Sequence, residues 1–209
     1  MTLNQESSLA QQDYRCAGCG CPIGLIYGPT RVCGFTGCLY CCECHLDDES
    51  VIPARVFLNG DWSKRKICHS VYTWFKEVEL EPLLDAVRFN RHIYTIQRDF
   101  SNLLTLRTQL QHLSAFLLNC RTSDTSYEFR KRNYGKEYLF QQQHTYAMAD
   151  LPLVQSGQLH QQLTKLATFG KQHVAGCNLC SLKGIFCIWT SHFPTLINAN
   201  VLFFCRFLV

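Results

Sequence analysis

The sequence predicts a mainly α fold in which small, loop-rich, cysteine-bearing modules flank a helical stalk. Three observations carry this. The fourteen cysteines are clustered, eight of them between Cys16 and Cys44 and three between Cys177 and Cys187. Residues 15–70 are dense in cysteine, glycine and turn residues, with Pro22, Gly24, Gly28 and Pro29 interrupting any helical period. Beyond them, leucines recur at the spacing of one helix face.

The 209 residues are 47% apolar and 17% charged, the balance of a globular chain and not of a disordered one. A net charge of +4 is too mild to imply a nucleic-acid partner. The polar start MTLNQESSLAQQ lacks the apolar centre of a signal peptide. No stretch reaches the roughly 18 apolar residues of a membrane helix. The expectation is a cytoplasmic chain, peripheral to membranes at most, whose thiols stay reduced. Clustered reduced cysteines favour metal over disulfides.

In order along the chain, residues 1–14 read as a flexible N-terminal segment. Residues 15–70 form an N-terminal metal module, stabilised by its ion more than by a large core. Residues 71–176 make the helical stalk. Leu83, Leu84 and Val87 suggest a helix with Pro82 tolerated in its first turn. Leu106, Leu110, Leu113 and Leu117 recur at spacings of four, three and four, while Ile96, Leu103, Leu110 and Leu117 recur every seven. Ser101 or Asn102 is placed to cap this helix or to mark a break before it. Cys120 lies near its leucine face and reads as a core or boundary cysteine. Residues 121–136, with Arg130, Lys131 and Arg132, read as a solvated loop. From Asp150 helical spacing returns through Leu159, Leu163 and Leu166 and runs toward His173 and Cys177. Residues 177–187 form a partial second metal module, and 188–209 a divergent hydrophobic tail. No internal repeat is visible.

Cys16-Ala-Gly-Cys19-Gly20 has the form of a zinc knuckle: two thiolates grip one ion from a tight turn, and the following glycine allows the left-handed backbone that aims amides at the sulfurs. Cys41 and Cys44 repeat the CxxC after 21 intervening residues and complete a four-sulfur set. Such a set suits Zn2+ and leaves no open position for water, so the site is structural. Cys33 and His45 remain over. Cys177 and Cys180 supply a third CxxC, and Cys187 follows. A second zinc would use these three with His173, Cys33 or His45, and either of the last two would staple the two ends of the chain together. Cys21, Cys38 and Cys42 read as spare, and Cys68-His69 as an isolated pair.

The chain lacks HExxH, P-loop and GxSxG motifs, and its histidines near cysteine are better explained as ligands than as bases. It reads as non-enzymatic. A RING-type ubiquitin ligase interleaves its ligands over a short segment, whereas Cys177 follows His45 by 132 residues. CCECH is also not the basic, histidine-rich ligand strand of a FYVE-type lipid reader.

The run LAQQDYRCAGC, then CGFTGCLYCCECH, then SVIPARV and GDW, then QHVAGCNLC followed by KG, resembles the Rubicon homology domain. That domain ends Rubicon and the pleckstrin-homology-domain-containing family M adaptors, and the resemblance spans about residues 9–187. It implies a non-enzymatic adaptor with zinc-bound ends and a helical stalk. The implied partner is a GTP-loaded Rab-family GTPase of late endosomes, together with other trafficking or signalling proteins in endosome–lysosome traffic and autophagy. Cys16, Cys19, Cys41, Cys44, Cys177 and Cys180 then match the family's ligands, and the pattern also carries Cys33, His45 and Cys187.

Two departures stand out. No pleckstrin-homology domain precedes the match, so a fragment or short isoform is expected. Where the family continues with a further CxxC, Thr190 replaces its second cysteine, and the tail from about Ile188 looks like an alternative end. One zinc is then expected, and a second where its ligand set is complete; His192 is a weak substitute ligand. The GTPase surface is placed on a helix face, within Leu151–Val174. The competing readings are a phosphoinositide or membrane-surface module, using Lys64, Arg65, Lys66 and Arg130–Arg132, and a RING-like ubiquitin-ligase module.

Overall fold

The computed structural model describes residues 3–121 and 124–182. In chain order, a 3-10 turn at Ala10–Gln12 precedes β1 (Arg31–Val32), β2 (Leu39–Tyr40), β3 (Asp48–Val51), α1 (Pro53–Asn59), β4 (Lys64–Ile67) and α2 (His69–Glu77). There follow β5 (Leu84–Asp85), α3 (Ala86–Phe89), α4 (Ile93–Ile96), α5 (Arg98–Leu117), α6 (Thr125–Arg132), α7 (Tyr138–Gln141), β6 (Thr145–Tyr146), α8 (Asp150–Gln155), α9 (Gln158–Gly176) and α10 (Asn178–Leu182). The fold is mainly helical. Its sheet among the described residues is three antiparallel two-stranded pairs, β1–β2, β3–β4 and β5–β6. Two units result, Met1–Leu104 with Gln142–His160, and Thr105–Gln141 with Gln161–Val209.

In the first unit the β3–β4 hairpin pairs Asp48 with Ile67 and Val51 with Lys64. Between its strands the chain forms α1, which starts on Pro53, where the missing N–H costs nothing. α1 ends at Gly60, whose φ of 66° lets its amide turn back onto the last carbonyls of the helix. α1 buries Val56 and Phe57, and Phe57 meets Phe89, Phe100 and Tyr146 at ring separations of 5.1, 5.4 and 6.2 Å. This aromatic cluster brings α1, α3, the start of α5 and β6 into one core.

The helix expected around Leu83, Leu84 and Val87 begins later. Leu84–Asp85 is a strand paired with β6. The Asp85 carboxylate then accepts the amides of Val87 and Arg88 and starts α3. Pro82 lies before both elements. The heptad through Ile96 is also cut: Ile96 belongs to α4 and is 67% exposed, because the chain leaves helix at Gln97. Gln97 instead turns its amide nitrogen onto the Val56 carbonyl at 2.8 Å. α5 starts at Arg98, so Ser101 and Asn102 lie inside it.

In the second unit Leu110, Leu113 and Leu117 of α5 are buried, as are Leu163, Leu166 and Ala167 of α9. The helices meet where α9 carries Gly170: a Cβ there would fall 2.9 Å from Leu113 Cδ1 and 3.1 Å from Leu117 Cδ1. Arg107 is fully buried, and its Nε donates to the Leu139 carbonyl at 2.7 Å, tying α5 to α7. The solvated loop expected over 121–136 contains α6. Its polar composition hid one anchor: Phe129 is buried and meets Phe140 at 5.3 Å. Glu128 and Arg132 form an i,i+4 pair, and the Arg132 guanidinium lies 4.4 Å from the Phe169 ring centre.

Candidate metal centres

Cys16 sits in a closed hairpin turn. Its amide donates to the Cys21 carbonyl at 2.8 Å, and Gly20, at φ 73°, donates back to the Cys16 carbonyl at 2.9 Å. The positive φ is what a side chain would resist and glycine accepts. The turn aims N–H groups at sulfur: Gly18 donates to Cys16 Sγ at 3.3 Å, and Cys41 reaches the same atom at 3.3 Å. Cys41 and Cys44 come from the turn after β2, where the His45 amide donates to the Cys41 carbonyl at 3.1 Å.

The ligand atoms of Cys16, Cys19, Cys41 and Cys44 all lie within 4.8 Å of one another. Cys19 Sγ and Cys41 Sγ are 3.7 Å apart. Four thiolates around one tetrahedral ion, at metal–sulfur bonds of about 2.3 Å, must sit about 3.8 Å apart. The Cys19–Cys41 separation matches this value, and the remaining sulfurs, all within 4.8 Å, are close enough to share one metal ion.

The thiols are tuned unequally. Burial works against ionisation of Cys16, but amide hydrogen bonds from Cys19, Cys41 and Gly18 outweigh it and bring the thiol down to about 6. Cys19 is lowered too, chiefly through the Cys21 amide. Burial and the neighbouring sulfurs push Cys44 up. Cys21, at the rim of the group, is pushed up to about 12 by its hydrogen bond to Cys19 and by burial, and stays a thiol beside the four.

The second group is Cys120, His173, Cys177 and Cys180. Cys120 follows the end of α5. His173 and Cys177 lie four residues apart at the end of α9, with the Cys177 amide bonded to the His173 carbonyl at 2.9 Å. Cys180 lies on α10. His173 Nε2 is 3.3 Å from Cys120 Sγ and 3.5 Å from Cys180 Sγ, and Cys120 Sγ is 3.7 Å from Cys177 Sγ. Thr125 Oγ1 lies 3.1 Å from His173 Nδ1 and orients the ring from behind, as partners of metal-bound histidines do. Burial and the sulfurs of Cys120 and Cys177 push Cys180 up to about 12, a cost that a bound cation would relieve. Three sulfurs and one imidazole nitrogen at these separations also fit one tetrahedral ion.

Sequence reasoning did not place Cys120 in this group. A signal was present: His173, Cys177 and Cys180 offer three donors, and Cys120 is the one cysteine between Cys68 and Cys177. Cys187, expected in this centre, lies outside the described residues, as do His192 and the tail. Cys33 and His45 belong to neither group.

Cys33 instead occupies a second copy of the first knuckle. Its amide donates to the Cys38 carbonyl at 2.9 Å, and Gly37, at φ 75°, donates to the Cys33 carbonyl at 2.8 Å. The Cys68 amide reaches Cys33 Sγ at 3.3 Å, as that of Cys41 reaches Cys16. The Tyr72 amide then bonds the Cys68 carbonyl at 3.1 Å, as that of His45 bonds Cys41. In this copy Thr36 and Val71 stand where Cys19 and Cys44 stand in the first. The position is filled by a partly buried polar cluster, in which Thr36 Oγ1 meets the Tyr40 hydroxyl at 3.3 Å beside the buried Cys33 and Cys68. His45 is fully buried; its Nδ1 accepts the Asp47 amide at 3.3 Å, and its Nε2 has no hydrogen-bond partner among the described residues.

Each of the two groups offers four protein donors, enough to fill the coordination shell of one tetrahedral ion. Among the described residues no helix is long and apolar enough to cross a membrane.

A family model for the Rubicon Homology Domain matches residues 31–202. The chain is 40% identical over 186 residues to the human Pleckstrin homology domain-containing family M member 3, covering 89% of this chain and 24% of that protein. Its Xenopus laevis counterpart is 39% identical over 186 residues, covering 89% and 25%. The mouse Run domain Beclin-1-interacting and cysteine-rich domain-containing protein is 28% identical over 200 residues, covering 95% and 21%. The chain thus spans about a quarter of the length of the curated relatives it matches.

Proposed function

The chain belongs to the Rubicon homology domain family of adaptors, and from that premise we propose that it is a non-enzymatic, zinc-stabilised binding module for a GTP-loaded Rab-family GTPase of late endosomes. One observation supports the adaptor reading above others: both four-donor groups are closed, so neither offers a metal-bound water for catalysis. Thiolate-rich tetrahedral sets suit Zn2+ in each. Cys16, Cys19, Cys41 and Cys44 would hold the first ion, and Cys120, His173, Cys177 and Cys180 the second. Each would fix chain segments that carry little core of their own, so the ions act on stability and shape.

The partner surface is assigned to the outward face of α9, inside the stretch Leu151–Val174. The apolar side of this stretch is already spent: Leu151, Val154, Leu159, Leu163 and Leu166 are buried. What remains outward on α9 is polar, including Gln161, Gln162, Lys165 and Gln172. A GTPase would meet hydrogen-bonding side chains on a rigid helix, with specificity set by the shape of its nucleotide-dependent loops.

Pull-down with GTP- and GDP-loaded Rab proteins tests this. Preference for the GTP form, weakened by Gln161→Ala with Lys165→Ala, is the expected result. Equal binding of both forms, or of neither, overturns it.

The competing cationic membrane surface is less favoured. Arg65 pairs with Asp61, Lys66 with Asp47, and Arg132 with Glu128, so these cations are partly neutralised. The RING-like reading is also less favoured, because each four-donor group draws on its own stretch of chain and the two are not interleaved.

A further inference from the structure

Between the two knuckles lies a turn that the metal chemistry leaves unexplained. Gly24-Leu25-Ile26-Tyr27-Gly28 closes on itself: Gly28 donates to the Gly24 carbonyl at 2.9 Å, Tyr27 to the same carbonyl at 3.0 Å, and Gly24 back to Gly28 at 3.3 Å. Both glycines sit near φ 126–127°, a region closed to other residues, so the turn has a set shape. It projects its three side chains outward. Leu25 is fully exposed at 106%, Ile26 is 88% exposed and Tyr27 65%. The residues on either side are anchored: Ile23 is buried at 2%, and Cys16 and Cys33 belong to the knuckles.

Single exposed apolar residues need no explanation, but two adjacent aliphatic side chains held at the apex of a closed turn do. We propose that this turn is a membrane-contact loop, which inserts Leu25 and Ile26 into the surface of a bilayer containing anionic phospholipid.

The order of side chains favours lipid over a protein groove. The apex is aliphatic. Behind it stand two tyrosines, Tyr27 and the 54% exposed Tyr14, whose ring packs beside Gly24. Tyrosines prefer the headgroup layer, where the ring is apolar and the hydroxyl is wet. Arg15 and Arg31 bracket the stretch in sequence, with no carboxylate between them and Asp13 the nearest before it; Arg31 pairs with Asp47 at 3.3 Å, which leaves Arg15 as the cation beside the turn that can meet a phosphate. Aliphatic tip, aromatic collar and the Arg15 cation follow the order of a bilayer from acyl chains to phosphates. The backbone at the neck of the turn is hydrogen-bonded to itself, which entry into a poorly hydrated layer requires. Two aliphatic side chains make a reversible contact only, so the loop would add to another attachment and not replace it.

The test is flotation of the full zinc-loaded chain with vesicles of phosphatidylcholine alone and with phosphatidylserine added. Stronger recovery with the acidic vesicles is expected. Leu25→Ser with Ile26→Ser should lower that recovery about tenfold or more, and Leu46→Ser, at an exposed site elsewhere, should leave it unchanged. Zinc content equal to that of the parent chain shows that the double variant is folded. A Leu25→Trp chain gives an independent reading, a blue shift of its added fluorescence on mixing with acidic vesicles. No flotation of the parent, equal flotation of the double variant, or an unshifted fluorescence from the Leu25→Trp chain each overturns the proposal. So does loss of self-association in the double variant with flotation intact, which would make the turn a contact between copies. GTPase pull-down in solution does not depend on this loop, so the two readings fail separately.

Discussion

Cys120 Sγ and Cys177 Sγ lie 3.7 Å apart although 57 residues of chain separate them. With His173 Nε2 at 3.3 Å from Cys120, this contact joins the end of α5 to the end of α9 through one four-donor group. An ion in this group would tie two long helices together at their ends, beside the packing of Phe116 and Val174 around Cys120 and Cys180.

Cys120→Ser is therefore expected to lower bound zinc by one equivalent and to free α10 from its position. Cys187→Ser is expected to leave zinc content unchanged, because four donors are already supplied without it. Elemental analysis of the two purified variants decides this. Loss of zinc from the Cys187 variant alone would reverse the assignment.

Cys16→Ser removes one donor and the sulfur that collects the Gly18 and Cys41 amides. The expected outcome is loss of one zinc equivalent together with cooperative unfolding of the N-terminal module, since metal-binding free energy is folding free energy there. Unchanged zinc content in this variant would refute the four-thiolate centre.

The lowered Cys16 thiol has a pH consequence. In the metal-free chain its depressed value contributes stability that is fully present above its ordinary 9.0, and that contribution is lost as pH falls through about 6. At pH 7 Cys16 is already largely a thiolate, so filling the first centre should release fewer than four protons, and more at pH 5 than at pH 7. Calorimetry of zinc binding to the Cys120→Ser chain, in buffers of different ionisation enthalpy, measures the count. A release of four protons at both pH values would contradict the tuning.

Gly170 tests the helix crossing. Alanine gains about 1 kcal/mol of helix propensity but brings a Cβ within 2.9 Å of Leu113 Cδ1. That atom ends a flexible side chain, so the two effects should nearly cancel. Leucine has no such escape and should destabilise by about 1–3 kcal/mol through overpacking. Thermal or denaturant unfolding of the two variants reads the difference, and a tolerated leucine would show that the crossing is loose.

Much was legible in the sequence where chemistry is local. The CxxC spacings pointed to Cys16, Cys19, Cys41 and Cys44 as one set, because two thiols three residues apart on a glycine turn have few other uses. The leucine period of α5 and α9 marked their buried sides. Boundaries were less legible. Asp85 capping α3 and Gln97 cutting the heptad are decided by single side-chain hydrogen bonds, and Phe129 in α6 is buried by its contact with Phe140 despite polar neighbours.

The duplicated knuckle was hidden for a different reason. The first and second copies share backbone hydrogen bonds and the glycine at positive φ, but Thr36 and Val71 stand where cysteines would make the repeat visible. Backbone geometry persists where side-chain identity does not, because the turn is held by amides and carbonyls that every residue carries.

The mainly helical class, the family, the first four-thiolate set and the third CxxC, Cys177 with Cys180, can all be read from the order of residues alone. Each depends on residues near one another in the chain. The folded arrangement was needed to show that Cys120 completes the second group, that Cys33 and His45 stand outside both, and that Leu25 and Ile26 face outward. Those facts turn on which distant segments meet, and a ligand's fourth partner or an exposed side chain is a property of that meeting, not of local spacing.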